Sequence, residues 1–172
     1  MRAPRVGLAA IPVSVQAPLW WVGAHGGAGV STLAQLVPGS MGAGTAWPQP
    51  EYGEAHCALV CRSNLSGLRA AQTAMTQWAS GAAPHGVQLL GLVVVADAPG
   101  RRLPRPLRDL TRVITGGVPQ VWHLGWSEAW RIEHVPSLDA APRTVTSTIR
   151  ELTDLTRSLA TARGLTEEKD PR

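Results

Sequence analysis

Apolar residues in this chain come in two rhythms. Short unbroken runs alternate with longer stretches in which apolar positions recur every three or four residues. Residues 19–23 (LWWVG) form the first run and predict a buried strand. Residues 56–61 (HCALVC), closed by Arg62, predict a second, and residues 119–124 (PQVWHL) another. The strongest run is 87–96 (VQLLGLVVVA), whose continuous apolar character suits a parallel sheet covered on both faces. Helical spacing fills the gaps. A short helix over 31–37 is stopped by Pro38 and Gly39. A second helix opens at a cap on Ser63 or Asn64 and turns Leu65, Leu68, Ala71, Met75 and Trp78 toward the sheet. A third spans 104–114, with Leu107, Leu110, Val113 and Ile114 on one side, and ends at Gly116-Gly117. Residues 127–132 predict a short helix carrying Trp130. Residues 144–162, behind Pro142, carry the stripe Val145, Ile149, Leu152, Leu155 and Leu159. Strand alternating with helix predicts an α/β fold, a three-layer sandwich with a mostly parallel sheet of about four or five strands and right-handed crossovers.

The remaining segments lack either rhythm. Residues 38–55 are rich in Gly, Pro and Ala and read as an ordered loop or a flexible connection, with Trp47 as a possible pin. Residues 1–18 read as a flexible arm, loose or docked at an edge. Their first part faintly imitates an export signal, but Pro12 interrupts its short apolar stretch. Residues 19–163 then form a single domain, and residues 164–172 a fraying tail. At 172 residues and 44% hydrophobic, the chain has the length and composition for one domain with a core. No apolar run has the length of a membrane span.

Composition matters most through lysine. Of 16 basic residues only one, Lys169, is a lysine; the others are arginines. Scarce Lys and Phe with abundant Ala, Gly, Pro and Arg point to a GC-rich bacterial genome. The net charge of +4 permits an anionic partner without requiring one. Cys57 and Cys61 lie on one predicted strand with Cα atoms about 13 Å apart, too far to pair, and read as buried thiols of a reducing cytoplasm. The histidines at 25, 56, 85, 123 and 134 show no metal-ligand spacing, and no Gly-x-Ser-x-Gly elbow or triad can be argued. No catalytic residue or metal ligand is therefore assigned.

The chemistry concentrates in residues 23–32, Gly-Ala-His-Gly-Gly-Ala-Gly-Val-Ser-Thr. His25, Gly26, Gly27, Ala28, Gly29, Val30, Ser31 and Thr32 have the spacing of a Walker A phosphate loop. Its glycines let successive N–H groups face one anion, and a hydroxyl residue opens the following helix. Val30 stands where the phosphate-contacting lysine belongs, and His25 where a second, signature lysine belongs. With Lys169 the only lysine, no other lysine can swing in, but an arginine can restore the charge, and Arg62, Arg101 and Arg102 are the candidates. Loss of one charge-assisted contact costs about 1.5–3 kcal/mol, or one to two decades of affinity. Phosphoryl transfer should suffer more, because charge neutralisation is most of its catalysis.

The loop resembles that of the ParA/MinD group of P-loop ATPases. The segments ALVCRSNLSGLRAAQTAMTQW, VQLLGLVVVADAP and VPQVWHLGW are similar to successive later elements of that group. The resemblance covers roughly residues 19–130 and implies a reduced P-loop NTPase-like fold binding ATP or GTP with Mg²⁺. On that alignment Ser31 is the Mg²⁺ ligand. The whole chain, with its GAHGGAGVSTLA and VVADAPGR segments, also resembles an uncharacterised actinobacterial family associated with mobile elements. Two departures stand out. Both lysines are absent, and the stretch between the loop and HCALVC holds no apolar strand ending in Asp. Asp97 is the one rival for that role; the other readings are a loop cap and a contact to base or ribose.

Arg105, Arg108 and Arg112 share one face of a predicted helix. They read as a solvated basic face or as a contact for nucleic acid or an acidic protein, although no nucleic-acid-binding signature accompanies them. Three functions stay open: a non-hydrolytic accessory factor that binds nucleotide or anion weakly and works through a protein partner; an atypical ATPase or GTPase using Arg or His for the lost lysine; and an interaction scaffold that binds no nucleotide.

Overall fold

The computed structural model describes residues 6–100, 102–132 and 136–165. Arg101, His134 and Lys169 lie outside the described residues. The elements run β1 (Ala9–Val13), β2 (Leu19–Gly23), α1 (Val30–Leu36), β3 (Ser40–Gly42), β4 (Ala46–Pro50), β5 (Ala55–Arg62), α2 (Leu65–Ala79), β6 (Val87–Val95), α3 (Arg105–Thr115), β7 (Val121–Leu124), α4 (Ala129–Ile132) and α5 (Arg143–Ala162). Five strands form one sheet in the order β3-β2-β5-β6-β7, every neighbouring pair parallel. The three-layer α/β fold read from the sequence is the fold observed.

Alternation along each strand divides the core between two faces. Leu19, Trp21, Ala58, Val60, Val93 and Val95 pack with Leu33 of α1 and Val145, Ile149 and Leu152 of α5. Trp20, Val22, Cys57, Leu59, Cys61, Leu92 and Val94 pack on the other face with Leu68, Ala71 and Met75 of α2 and Ile114 of α3. Both cysteines are buried and free, and burial pushes the Cys61 thiol up to about 12 and Cys57 higher still, so neither is a ready thiolate. One register shift interrupts the β5–β6 ladder between Cys57 and Ala58. Gly91 follows that irregularity, where a Cβ would overlap the Gln120 carbonyl oxygen and the Trp122 ring.

Two helix stripes differ from the expected ones. Leu65, at the first position of α2, is exposed, and Ala74 takes the buried place beside Met75. Val113 of α3 is also exposed, because the sheet side of that helix is centred on Ile114, with Thr111 buried beside it.

The segments without a clear rhythm are ordered by pairing. Residues 40–42 add the edge strand β3 to β2, and β4 pairs with β1 in a separate parallel ribbon. The N-terminal arm is thus docked over its β1 portion rather than loose. Gln77 of α2 clasps the ribbon: its Oε1 accepts from the Leu8 N–H at 2.8 Å and from Trp47 Nε1 at 3.0 Å, and its Nε2 donates to the Leu8 carbonyl. Trp47 is fully buried. At the far end of the chain, Gly164 adopts a left-handed φ of 65° and Leu165 N–H returns to the Ala160 carbonyl, closing α5. The remainder of the expected tail lies outside the described residues.

At the end of the sheet where β5 begins, Arg163 donates to the carbonyls of Ala17 and Glu54, both at 3.0 Å. His56 shares this corner. Its Nδ1 is buried without a partner among the described residues, and its Nε2 lies 3.8 Å from Glu54 Oε2. Burial first, and Arg163 second, hold its protonation below the ordinary 6.5, against the opposing pull of Glu54. The unfolded chain therefore binds this proton more readily than the fold. Stability from His56 is present above about pH 6.5 and declines as pH falls through that value toward the lower folded one. Thermal melts of wild type and His56→Gln between pH 5 and pH 8 should show the substitution flattening the acid-side slope.

Candidate functional site

The strand order supplies the site's location before any side chain does. From β2 the chain crosses through α1 to β3 on one flank, while β5 adds to the other. In open parallel sheets, ligands sit beyond the C-terminal strand ends at such a reversal. The glycine loop, residues 23–29, leaves β2 at this point.

The loop turns because its glycines allow it. Gly27 has φ 73° and Gly29 φ 112°, conformations that cost a residue with Cβ. A Cβ at Gly26 or Gly27 would touch nothing within 4 Å, so the space beside them is open. Among the described residues, no acceptor within the protein is found for the amides of Gly26, Gly27, Gly29, Val30, Ser31 or Thr32. The following helix α1 has only seven residues and is capped by Gly29 without a side-chain bond. An anion at this place would meet the loop amides rather than the dipole of a long helix.

His25 has a different role from the one its position suggested. Its Nε2 accepts the Arg62 backbone N–H at 3.1 Å, which leaves Nδ1 to donate to the Gly26 carbonyl at 2.8 Å. Both ring nitrogens are engaged in tying the loop to the end of β5, so the imidazole does not stand in for a lysine. Gly67 makes room for this clasp: a Cβ there would lie 2.5 Å from the Arg62 carbonyl oxygen and 2.8 Å from His25 Nε2.

Arg62 is the candidate cation that the fold brings against the loop. Its Nε donates to the Gly27 carbonyl at 3.2 Å and its Nη1 to the Ala96 carbonyl at 2.9 Å, so the guanidinium bridges the glycine loop and the end of β6. The next two residues hold the same junction. Ser63 Oγ accepts from the Asp97 N–H, Asn64 Nδ2 donates to Asp97 Oδ1 at 2.9 Å, and Asn64 Oδ1 caps α2 at the Gly67 N–H. Asp97 is thus tied to the junction. It follows β6, which β5 separates from β2.

Two hollows meet at the loop. One, about 850 Å³, is lined by all eight loop residues His25–Thr32 together with Gly42, Gly44, Thr45 and Arg62. The other, about 520 Å³, begins at Gly26, Gly27, Gly29 and Arg62, passes Asn64 and Asp97, and ends at Trp126, Ser127 and Trp130. Both volumes fall in the range of ligand pockets. Ser31 lines only the first and Asp97 only the second, so these two candidate Mg²⁺ contacts open onto different hollows. Thr32 lines both. Val30 turns toward the sheet: a Cβ on Gly42 would come within 2.8 Å of its Cγ1, and one on Gly23 within 3.1 Å of its Cγ2. On that flank β3 ends at Gly42, and Ala43-Gly44-Thr45 follow without a carboxylate.

Of the other candidate cations, Arg102 lines a separate groove beside α3, and Arg101 lies outside the described residues. Arg105, Arg108 and Arg112 are exposed on α3, with Arg105 paired loosely to Asp109 at 3.7 Å. The Trp126–Trp130 wall is the part of the cleft to which the sequence assigns no ligand role, although it does predict the short helix that carries Trp130. Ser127 Oγ is buried there without a partner among the described residues. Also among the described residues, no three His, Cys, Asp or Glu side chains converge as a metal site, and no helix is long and apolar enough to cross a membrane.

Fold and site together define an open parallel α/β protein with a glycine loop at its topological switch point. By its sequence, the chain belongs to the DUF6668 family, a family of unknown function, whose model matches residues 17–150. No curated protein and no solved structure matches the chain.

Proposed function

We propose that this protein is a degenerate, ParA/MinD-like phosphate-loop protein that binds a nucleotide weakly and does not hydrolyse it. The phosphates sit on the loop amides of Gly26–Thr32, and the nucleoside extends through the cleft toward Trp126 and Trp130. The observation that carries this reading is Arg62, a guanidinium at the seam of both hollows and hydrogen-bonded to the loop itself. With Nε and Nη1 donating to the Gly27 and Ala96 carbonyls, Nη2 and the second Nη1 hydrogen are left to meet a phosphate where the lysine is missing. The continuous cleft with an aromatic wall favours a nucleotide over a bare anion. ATP or GTP, with or without Mg²⁺, is the ligand class, and on the ParA/MinD resemblance Ser31 would be the residue that meets the metal.

Binding and hydrolysis separate on the same geometry. Rapid phosphoryl transfer needs charge neutralisation at the γ-phosphate and a group that orients water. Val30 provides no charge, His25 is committed to the clasp, and Asp97 is tied to Asn64. A protein of this kind acts as an accessory factor through a protein partner. A cytoplasmic setting suits its two buried, free thiols. The mobile-element association rests on the family resemblance and is tested by the neighbouring genes.

Phosphate release from ATP or GTP with Mg²⁺ should stay at background for the wild type. Mg²⁺-dependent release that vanishes in Ser31→Ala would instead establish the atypical NTPase.

A further inference from the structure

We propose that the Ser127 hydroxyl reads the edge of the ligand's base, and so makes the cleft select a nucleotide over a bare polyphosphate. This role rests on the nucleotide reading of the loop and deepens it. Ser127 lines the cleft together with Trp126 and Trp130. The residue is 6% exposed, and its Oγ is buried without a hydrogen-bond partner among the described residues. A hydroxyl left so costs the fold, since it gives up water and receives no partner in return. Its neighbours are placed differently. Trp126 Nε1 donates to Glu128 Oε2 at 2.8 Å, and Trp130 Nε1 donates to the Ser137 carbonyl at 2.7 Å. With both indole N–H groups engaged, the tryptophans offer a ligand ring surface and no donor. Of these three side chains, the polar group left over is the Ser127 hydroxyl.

No hydrogen bond among the described residues holds this oxygen where it is. Rotation about Cα–Cβ between staggered positions therefore breaks none, and it carries Oγ toward the cleft that Ser127 lines. A hydroxyl both donates and accepts. The edge of a nucleobase presents donors beside acceptors, so it pairs with a serine in either sense. A polyphosphate on the loop amides and Arg62 brings no such edge to the wall. One substitution then has two opposite effects. Ser127→Ala removes the orphaned hydroxyl and should raise Tm of the unliganded chain by about 2 °C or more. It also removes the base contact and should shrink the preference for nucleotide over polyphosphate about fivefold, as loss of one neutral hydrogen bond does. A merely structural serine would not move that ratio.

The test titrates the full chain and its Ser127→Ala variant with ATP, GTP and inorganic tripolyphosphate, and melts both proteins without ligand. Wild type should bind the tighter of ATP and GTP more strongly than tripolyphosphate. In Ser127→Ala that ratio should fall about fivefold while the ligand-free Tm rises. An unchanged ratio in the variant would overturn the role of Ser127 and leave the loop reading standing. So would a wild type that holds tripolyphosphate as tightly as either nucleotide, which would make the loop a site for phosphate alone. A lowered Tm would show that the hydroxyl has a partner within the fold, and would also overturn the proposal. Absence of binding by all three ligands would instead strike the loop reading itself, and the role of Ser127 with it.

Discussion

Val30→Lys is expected to tighten the binding of ATP or GTP about tenfold or more, as one restored charge-assisted contact should. The surroundings of position 30 allow the change. Its side chain passes over two glycines, Gly23 and Gly42, where no Cβ competes for space. A lysine stem is unbranched at Cβ and needs less room there than valine does. From that point the side chain must curve back over the loop, beside Gly27 and Gly29, to place its ammonium at the phosphates. The measurement is a nucleotide titration of the variant beside wild type. An unchanged affinity would mean that the loop holds no phosphate in reach of position 30. Hydrolysis need not return with affinity, since the flank after β3 still carries no carboxylate.

Gly67→Ala should destabilise the fold, against the usual direction for a helix. Ala in place of Gly in a helix interior gains about 0.5–1 kcal/mol. Here the new Cβ meets the Arg62 carbonyl oxygen at 2.5 Å and His25 Nε2 at 2.8 Å, neither of them the far end of a flexible chain. Overpacking of this kind costs about 1–3 kcal/mol, so the loss exceeds the gain. Net destabilisation of about 1 kcal/mol lowers Tm by roughly 2–4 °C in a chain of this size. The same clash pushes on the clasp that holds the glycine loop to β5, so nucleotide affinity should fall along with Tm. A melt showing Gly67→Ala equal to or above wild type would place the His25–Arg62 clasp elsewhere than described.

Most of the sheet is legible in the sequence, for a physical reason. β2, β5 and β6 are buried on both faces over most of their length, and residues such as Leu59, Val60, Leu92 and Val93 must be apolar without interruption, while the edge strand β7 still buries Trp122 and Leu124. β1, β3 and β4 carry no such signature. β1 is largely exposed and contains Pro12, β4 contains Pro48 and Pro50, and β3 is three residues ending in glycine. Edge and ribbon strands tolerate proline and need no apolar run, so composition alone makes them look like loop. Their order comes from long-range contacts, above all Gln77 reaching Leu8 and Trp47.

The site divides in the same way. The glycine loop is visible as a local motif because its backbone demands particular residues at particular spacing. The clasp is not visible, because His25 lies 37 residues before Arg62 and meets it and Gly67 only after β5 pairs with β2. His25 in isolation reads as a substitute cation; only the fold reveals both nitrogens engaged. Arg62, Arg101 and Arg102 are equivalent as arginines near strand ends. The fold separates Arg62 from Arg102, bringing the first to the loop and the second to the α3 groove.

On the proposed reading the loop still binds nucleotide without its lysine, through backbone amides and Arg62. Calorimetric titration of the wild-type chain with ADP, ATP and GTP, each with and without Mg²⁺, decides this. Saturable binding of at least one of them, tighter than about 1 mM, is the predicted result. Only millimolar or undetectable affinity for all three would contradict it and leave the glycine loop as a turn kept for the fold alone.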